Sequence, residues 1–252
     1  MTPGRILRLG LALAVLALAG PAVGAGASWP RLELTEAERA YLAARPTLRV
    51  GIGRGQMPFQ DVVVSAEGSP RYVGLAADYL EAAAAMLGVV FEPVYDATFT
   101  RALELAQTGG VDLFACVSDT PGRRAYLHMT APYARQPYAL ITRDGSNAPR
   151  TLAELDGRAV AVAPAFYAYQ RLQQERPDLR LRFDFKRTAP ETLLAVADGQ
   201  ADACFLNVAS AACLIRAHGL TNLRIAAIMA WPDNVLCMAS PDPFLTGLLQ
   251  KA

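Results

Sequence analysis

One stretch of this 252-residue sequence concentrates groups able to do chemistry: Ser118-Asp119-Thr120-Pro121-Gly122-Arg123-Arg124-Ala125-Tyr126-Leu127-His128-Met129-Thr130-Ala131-Pro132-Tyr133. It follows the carboxyl end of an apolar run, residues 111–117, that reads as a buried strand. In an α/β protein that end of a strand is where cleft residues stand. An arginine placed there can clamp a carboxylate through paired, charge-assisted hydrogen bonds. Arginines are also common on surfaces, so position alone does not settle the role.

Other chemistries find less support. His128 and His218 are far apart in sequence, with no Cys or carboxylate at ligand spacing, which argues against a metal site or a histidine-activated nucleophile. No Gly-x-Ser-x-Gly elbow and no phosphate-binding P-loop occurs. Gly51-Ile52-Gly53-Arg54-Gly55 superficially suggests a dinucleotide turn, but its third glycine comes one residue early and Met57-Pro58 replaces the helix start that would hold a pyrophosphate. It reads as a loop at a cleft edge. Cys116, Cys204, Cys213 and Cys237 form no CxxC pair. In an oxidising compartment they allow three disulfide connectivities, with Cys116 and Cys237 on neighbouring strands the pair to consider, or they are four small buried apolar residues.

The elements that must position these groups begin after a leader. Arg5 and Arg8 precede an uncharged apolar run over 9–19, Pro21 breaks it, and Ala25-Gly26-Ala27 supplies small residues for signal-peptide cleavage. The run is shorter than the ~20 residues a membrane-spanning helix needs. An exported chain over 28–252 is therefore expected, and no cysteine near the cleavage site invites a lipid anchor. Thr35-Glu36-Ala37-Glu38 is a capping box opening a short helix that Pro46 ends.

Two regions then share one grammar. Strand 48–52, helix 75–87 closed by Gly88, strand 89–94, helix 98–107 closed by Gly109 and strand 111–117 make one βαβαβ series. Strand 159–163, helix 168–174, strand 179–185, a helix opened by Pro190 and closed by Gly199, and strand 203–206 make another. Each predicts a parallel sheet covered by helices. Gly109-Gly110-Val111-Asp112 and Gly199-Gln200-Ala201-Asp202 recur at the same step of both, so the chain reads as two lobes of one plan with a ligand cleft between them.

Composition agrees with a compact protein: 53% of residues are hydrophobic and 19% charged. The formal charge of +1 becomes −1 once Arg5 and Arg8 are removed, which excludes nucleic-acid binding by bulk positive charge.

The order of these pieces resembles the family 3 periplasmic solute-binding proteins, the Venus-flytrap modules. The matching pieces are Leu48-Arg49-Val50-Gly51, Met57-Pro58-Phe59, Gly74-Leu75-Ala76-Ala77-Asp78-Tyr79-Leu80, Gly110-Val111-Asp112-Leu113, Thr120-x-x-Arg123, Met129-Thr130-Ala131-Pro132-Tyr133 and Gly199-Gln200-Ala201-Asp202-Ala203. The resemblance implies an α/β, two-lobed clamshell of the type II periplasmic-binding-protein kind. One lobe would comprise 28–135 and 227–252, the other 136–226, with hinge strands near 136–142 and 227–238. It further implies non-enzymatic binding of an amino acid or related carboxylate, with the cleft closing on the ligand by hinge motion and without a cofactor. Arg123 would anchor the carboxylate, Ser118, Phe99, Tyr167 and Asn207 would line the site, and Arg124 would be solvated.

Two departures from the family pattern bear on the ligand. The second-lobe Gly-Ser/Thr turn appears here as Ala165-Phe166-Tyr167, and the position that often carries an acid for an α-amino group is Asn207. An amide pairs weakly with an ammonium, so a small, even aromatic, carboxylate is as reasonable as a free amino acid. The entry helix around Thr35 and the neutral Asn207 resemble the sensor domains of BvgS-type receptors. The sequence stops inside an apparent helix over 244–252, as a truncated sensor would, while a stand-alone binding protein serving an ABC permease is the other expectation. A cyclohexadienyl dehydratase on the same fold is the rival enzymatic reading. It needs a general acid in the cleft, and Asp119 and Asp61 are its candidates. A murein lytic enzyme with a flytrap front half would need a lysozyme-like domain, which these residues do not contain.

Overall fold

In a computed structural model, residues 29–30, 32–95, 98–145, 147–231 and 235–252 are described. The leader expected over 1–27 lies outside the described residues. From residue 31 onward the chain forms one compact unit. No helix among the described residues is long and apolar enough to cross a membrane.

Helix α1 (Glu36–Ala43) opens as its capping box requires: the Thr35 hydroxyl accepts from the Glu38 amide, and the Glu38 carboxylate accepts from the Thr35 amide. Strand β1 (Thr47–Gly51) leads to a hairpin of β2 (Asp61–Val64) and β3 (Pro70–Val73) that periodicity did not reveal. Then come α2 (Leu75–Leu87), β4 (Val90–Val94), α3 (Phe99–Gln107) and β5 (Leu113–Ser118). Gly88 takes φ +70° to stop α2, the left-handed conformation that glycine adopts without steric cost. Helix α4 (Pro121–Arg124) and the two-residue strands β6 (His128–Met129) and β7 (Ala134–Arg135) follow.

The chain then enters a second sheet through β8 (Tyr138–Arg143) and continues with β9 (Ala159–Val162), α5 (Tyr167–Glu175), β10 (Arg182–Phe185), α6 (Ala189–Ala197), β11 (Ala203–Asn207), α7 (Val208–Ala217) and β12 (Leu223–Ile228). It returns through β13 (Val235–Ser240) and ends in α8 (Pro243–Lys251). The first sheet has the order β4-β1-β5-β13-β6, with β7 also on β13, and the second β10-β9-β11-β8-β12. Both βαβαβ series form parallel triplets, as expected: β4-β1-β5 and β10-β9-β11. The antiparallel strands β8 and β13 are where the chain passes between sheets, so the fold is the two-lobed clamshell.

Some boundaries move. The strand expected from residue 179 starts at Arg182, because Arg180 is drawn off by hydrogen bonds from its amide and guanidinium to Asp156. The strand expected over 111–117 runs Leu113–Ser118: the Asp112 carboxylate instead accepts from the Arg49 amide at 2.7 Å and bridges its guanidinium.

Three apolar clusters hold the fold. One, with Leu48, Val50, Leu80 and Leu245, lies under the first sheet, and another, with Leu140, Tyr167, Phe205 and Trp231, belongs to the second. The third contains residues of both sheets, including Phe99, Phe114, Phe166 and Leu193. Fully burying one such side chain contributes roughly 1.5–3 kcal/mol, so this third cluster presses the lobes together as well as filling them.

All four cysteines are free thiols. Strands β5 and β13 are neighbours, but Cys237 stands opposite Val117, not Cys116. With side chains alternating across a sheet, that one-residue offset sends the two sulfurs to opposite faces.

Candidate functional site

Every residue of β5 is buried, and its last residue, Ser118, delivers the chain to the interlobe cleft. Thr120 then caps α4 by accepting from the Arg123 amide, and Pro121 occupies the first turn, where its missing N–H costs nothing. This one-turn helix turns its two arginines apart. Arg123 is only 3% exposed, whereas the Arg124 side chain is 64% exposed and pairs with Asp119.

The Arg123 guanidinium donates from Nη1 to the Ser118 carbonyl and from Nη2 to the Ala165 carbonyl, each at 2.7 Å. It lies over the Phe99 ring, 5.4 Å from the centroid, a cation–π contact. Its Nε has no hydrogen-bond partner, and no carboxylate pairs with it among the described residues. Burial pulls its pKa below the usual arginine value, yet a guanidinium does not lose its proton in a protein. A buried cation without an anion is costly, and two carbonyls and a ring face offset only part of that cost.

Around it the Ser118 hydroxyl accepts from Gln136 Nε2 at 3.1 Å, and Tyr138 and Tyr167 stand 5.6 Å apart. Trp231 packs on both rings. The space between them is about 20 Å³, and its walls include Gln56, Cys116 and Phe166 beside Arg123, Ser118, Gln136 and the two tyrosines. That volume admits about one water. Beyond Phe99 and Phe166 a second chamber of about 290 Å³ opens between the sheets, lined also by Arg54, Tyr95, Thr98, Arg187, Thr188 and Glu191.

The glycine-rich loop closes over this region. Gly55 has φ +70°, and a Cβ there would stand 2.4 Å from Cδ of Pro190 at the start of α6. A cleft-edge loop, as expected from the sequence, is what the structure has, and no helix follows it to bind a pyrophosphate.

Residues 48–211 match the family model of the bacterial extracellular solute-binding proteins, family 3. The chain belongs to that family. The virulence sensor protein BvgS of Bordetella bronchiseptica is 26% identical over 217 residues, 85% of this chain but 17% of BvgS. Membrane-bound lytic murein transglycosylase F of Klebsiella pneumoniae is 26% identical over 202 residues, 77% of this chain and 38% of that protein. This family 3 chain thus spans well under half the length of either curated relative. The B. pertussis BvgS periplasmic domain superposes with TM-score 0.76 at 24% identity, covering 87% of this chain and 42% of that one. The arginine-binding protein ArgBP from T. maritima, in its holo form, does so with TM-score 0.71 at 22% identity, covering 84% and 90%. Likenesses at these identities establish the fold.

Of the five side chains expected in a family 3 site, Arg123, Ser118, Phe99 and Tyr167 line one cavity. Asn207 does not line it: its Oδ1 accepts from the Ser210 amide at 2.8 Å and caps α7. Asn is a favoured N-cap residue, a signal that could have shown this. Gln56, Gln136, Tyr138 and Phe166 complete the cavity and were not anticipated as site residues. Gln136 and Tyr138 flank Pro137 at the crossing between sheets, a place that only the three-dimensional path reveals. The acids considered for catalysis are engaged elsewhere: Asp119 with Arg124, and Asp61 with the Gly55 and Val62 amides.

Proposed function

We propose that this family 3 chain is a periplasmic binding module for a small organic anion, an amino acid or related carboxylate, with Arg123 as the carboxylate anchor. The observation that carries the reading is a buried guanidinium with no anionic partner among the described residues, an Nε without a hydrogen-bond partner, and an Nη2 that donates to the Ala165 carbonyl of the other lobe. A carboxylate would replace that carbonyl with a stronger, charge-assisted acceptor. Ser118 would add a hydroxyl, and Phe99 and Tyr167 flat walls.

A cavity of about 20 Å³ has no room for such a ligand, so binding requires the lobes to part. We assign the motion to hinges at 136–142 and 227–238, between a lobe of 28–135 plus 227–252 and a lobe of 136–226; residues 232–234 of the second hinge lie outside the described residues. The resemblance to BvgS favours a sensing role, with the cleft state passed to a kinase or cyclase output module, over delivery to an ABC permease.

The test is a thermal-shift and calorimetric screen of small carboxylates against the wild type, Arg123→Ala and Arg124→Ala. Arg123→Ala should abolish the response to any ligand found, and Arg124→Ala should retain it. Equal losses from both changes, or none from either, sink the assignment. Prephenate turnover by the purified protein would point instead to a dehydratase.

A further inference from the structure

The larger space in the cleft is not the one around Arg123. The outer chamber is about 290 Å³, and its walls come from both sheets: Arg54, Thr98 and Phe99 on one side, Phe166, Arg187 and Thr188 on the other. Among the described residues, two guanidiniums face it against a single carboxylate, Glu191, which pairs with Arg187. Arg54 is held by donating to the Tyr95 carbonyl, a contact that orients its charge without neutralising it.

Thr98 and Thr188, which cap the nine-residue helices α3 and α6, also line the space. Each hydroxyl accepts a backbone N–H, from Arg101 and Glu191, and can still donate its own proton inward. A helix N-terminus adds about half a positive charge, so the side-chain excess of one becomes roughly two across the chamber. A phosphomonoester carries about −1.5 to −2 at neutral pH. Phe99 and Phe166 leave the rest of the chamber apolar and flat-walled.

We propose that this outer chamber is a separate anion site for a phosphomonoester on a flat apolar body. The phosphoryl group lies between Arg54 and Arg187, and the body rests on Phe99 and Phe166. The site draws one arginine from each sheet, so its occupant bridges the lobes. It does not depend on Arg123 holding a carboxylate.

The probe is phenyl phosphate, titrated by calorimetry into wild-type protein and into Arg54→Gln, Arg187→Gln and Arg123→Gln. Each outer variant should weaken binding by about tenfold, the worth of one charge-assisted contact, and Arg123→Gln should leave it nearly unchanged. Arg54 and Arg187 are exposed, so these variants should fold; Arg123→Lys substitutes if Arg123→Gln does not. Inorganic phosphate and phenol should each bind more weakly than phenyl phosphate. The proposal is overturned by absence of wild-type binding, by unchanged affinity in both outer variants, by inorganic phosphate binding as tightly as the ester, or by loss in the Arg123 variant alone. That last outcome would place the phosphate at the inner site and leave the Arg123 reading standing, whereas a failed carboxylate screen would leave the outer chamber untouched.

Discussion

Arg123 Nη2 donates to the Ala165 carbonyl at 2.7 Å, so the cation at the end of one sheet is satisfied by the backbone of the other. The turn that supplies this carbonyl, Ala165-Phe166-Tyr167, is where the sequence departs from the family's Gly-Ser/Thr. The substitution places Phe166 and Tyr167 against the same cavity. Two aromatic rings thus stand beside the guanidinium where the family pattern has a hydroxyl.

Removing that guanidinium leaves the Ser118 and Ala165 carbonyls without their donors in a nearly dry space. The change also removes an unpaired buried charge whose cost these contacts only partly offset, so Arg123→Ala should lower unfolding free energy by no more than about 2 kcal/mol. Arg124→Ala, which breaks only an exposed pair with Asp119, should stay within about 0.5 kcal/mol. Denaturant titration of both variants decides this without any ligand.

Gly55→Ala strikes the lobe contact from the other side. The new methyl group meets Pro190 in a backbone conformation that alanine resists. The variant should lose about 1–2 kcal/mol and adopt a larger radius of gyration in small-angle scattering. An unchanged radius with unchanged stability would mean that the loop does not bear on α6 in solution.

Trp231 reports on the crossing between lobes. It is buried against Tyr138, Tyr167 and Phe205, and its Nε1 has no hydrogen-bond partner. The sequence has two tryptophans, and the other, Trp29, is half-exposed. A ligand that parts the lobes should therefore shift tryptophan emission, and Trp231→Phe should remove the shift. Trp231→Ala should cost about 3–5 kcal/mol, through the cavity it leaves.

The thiols should divide sharply. Burial pushes Cys116 up to about 12 and Cys237 to about 11, and raises Cys204 as well. Thiolate is the reactive form, so near pH 8 these three should resist a thiol reagent in the native protein. Only Cys213, which is half-buried, should be modified before unfolding, and all four after it. Early labelling of Cys116 would contradict its enclosure beside Ser118 and Arg123.

Much of the fold was legible because its helix ends carry local signals. Gly88 stops α2, and Thr98 and Thr188 cap α3 and α6 within a residue or so of where the sequence places them. The β2–β3 hairpin and α7 escaped, one for want of a strong alternating pattern, the other although Asn207 stands at its N-cap. Arg123 was distinguishable from Arg124 only through the Thr-x-x-Arg resemblance. Its neighbours Gln136 and Tyr138, and the meeting of Gly55 with Pro190, depend on where distant segments cross, which no local spacing encodes.

The narrow inner cavity gives the protein an occupant of its own. If Arg123 anchors a ligand, as proposed, that ligand would compete with a carbonyl that never diffuses away, present at a fixed effective concentration. Measured affinity is then the intrinsic affinity reduced by the fraction of molecules already open. Response threshold and ligand selectivity become separable traits: residues such as Gly55, Pro190 and Trp231 can set the first without touching what determines the second.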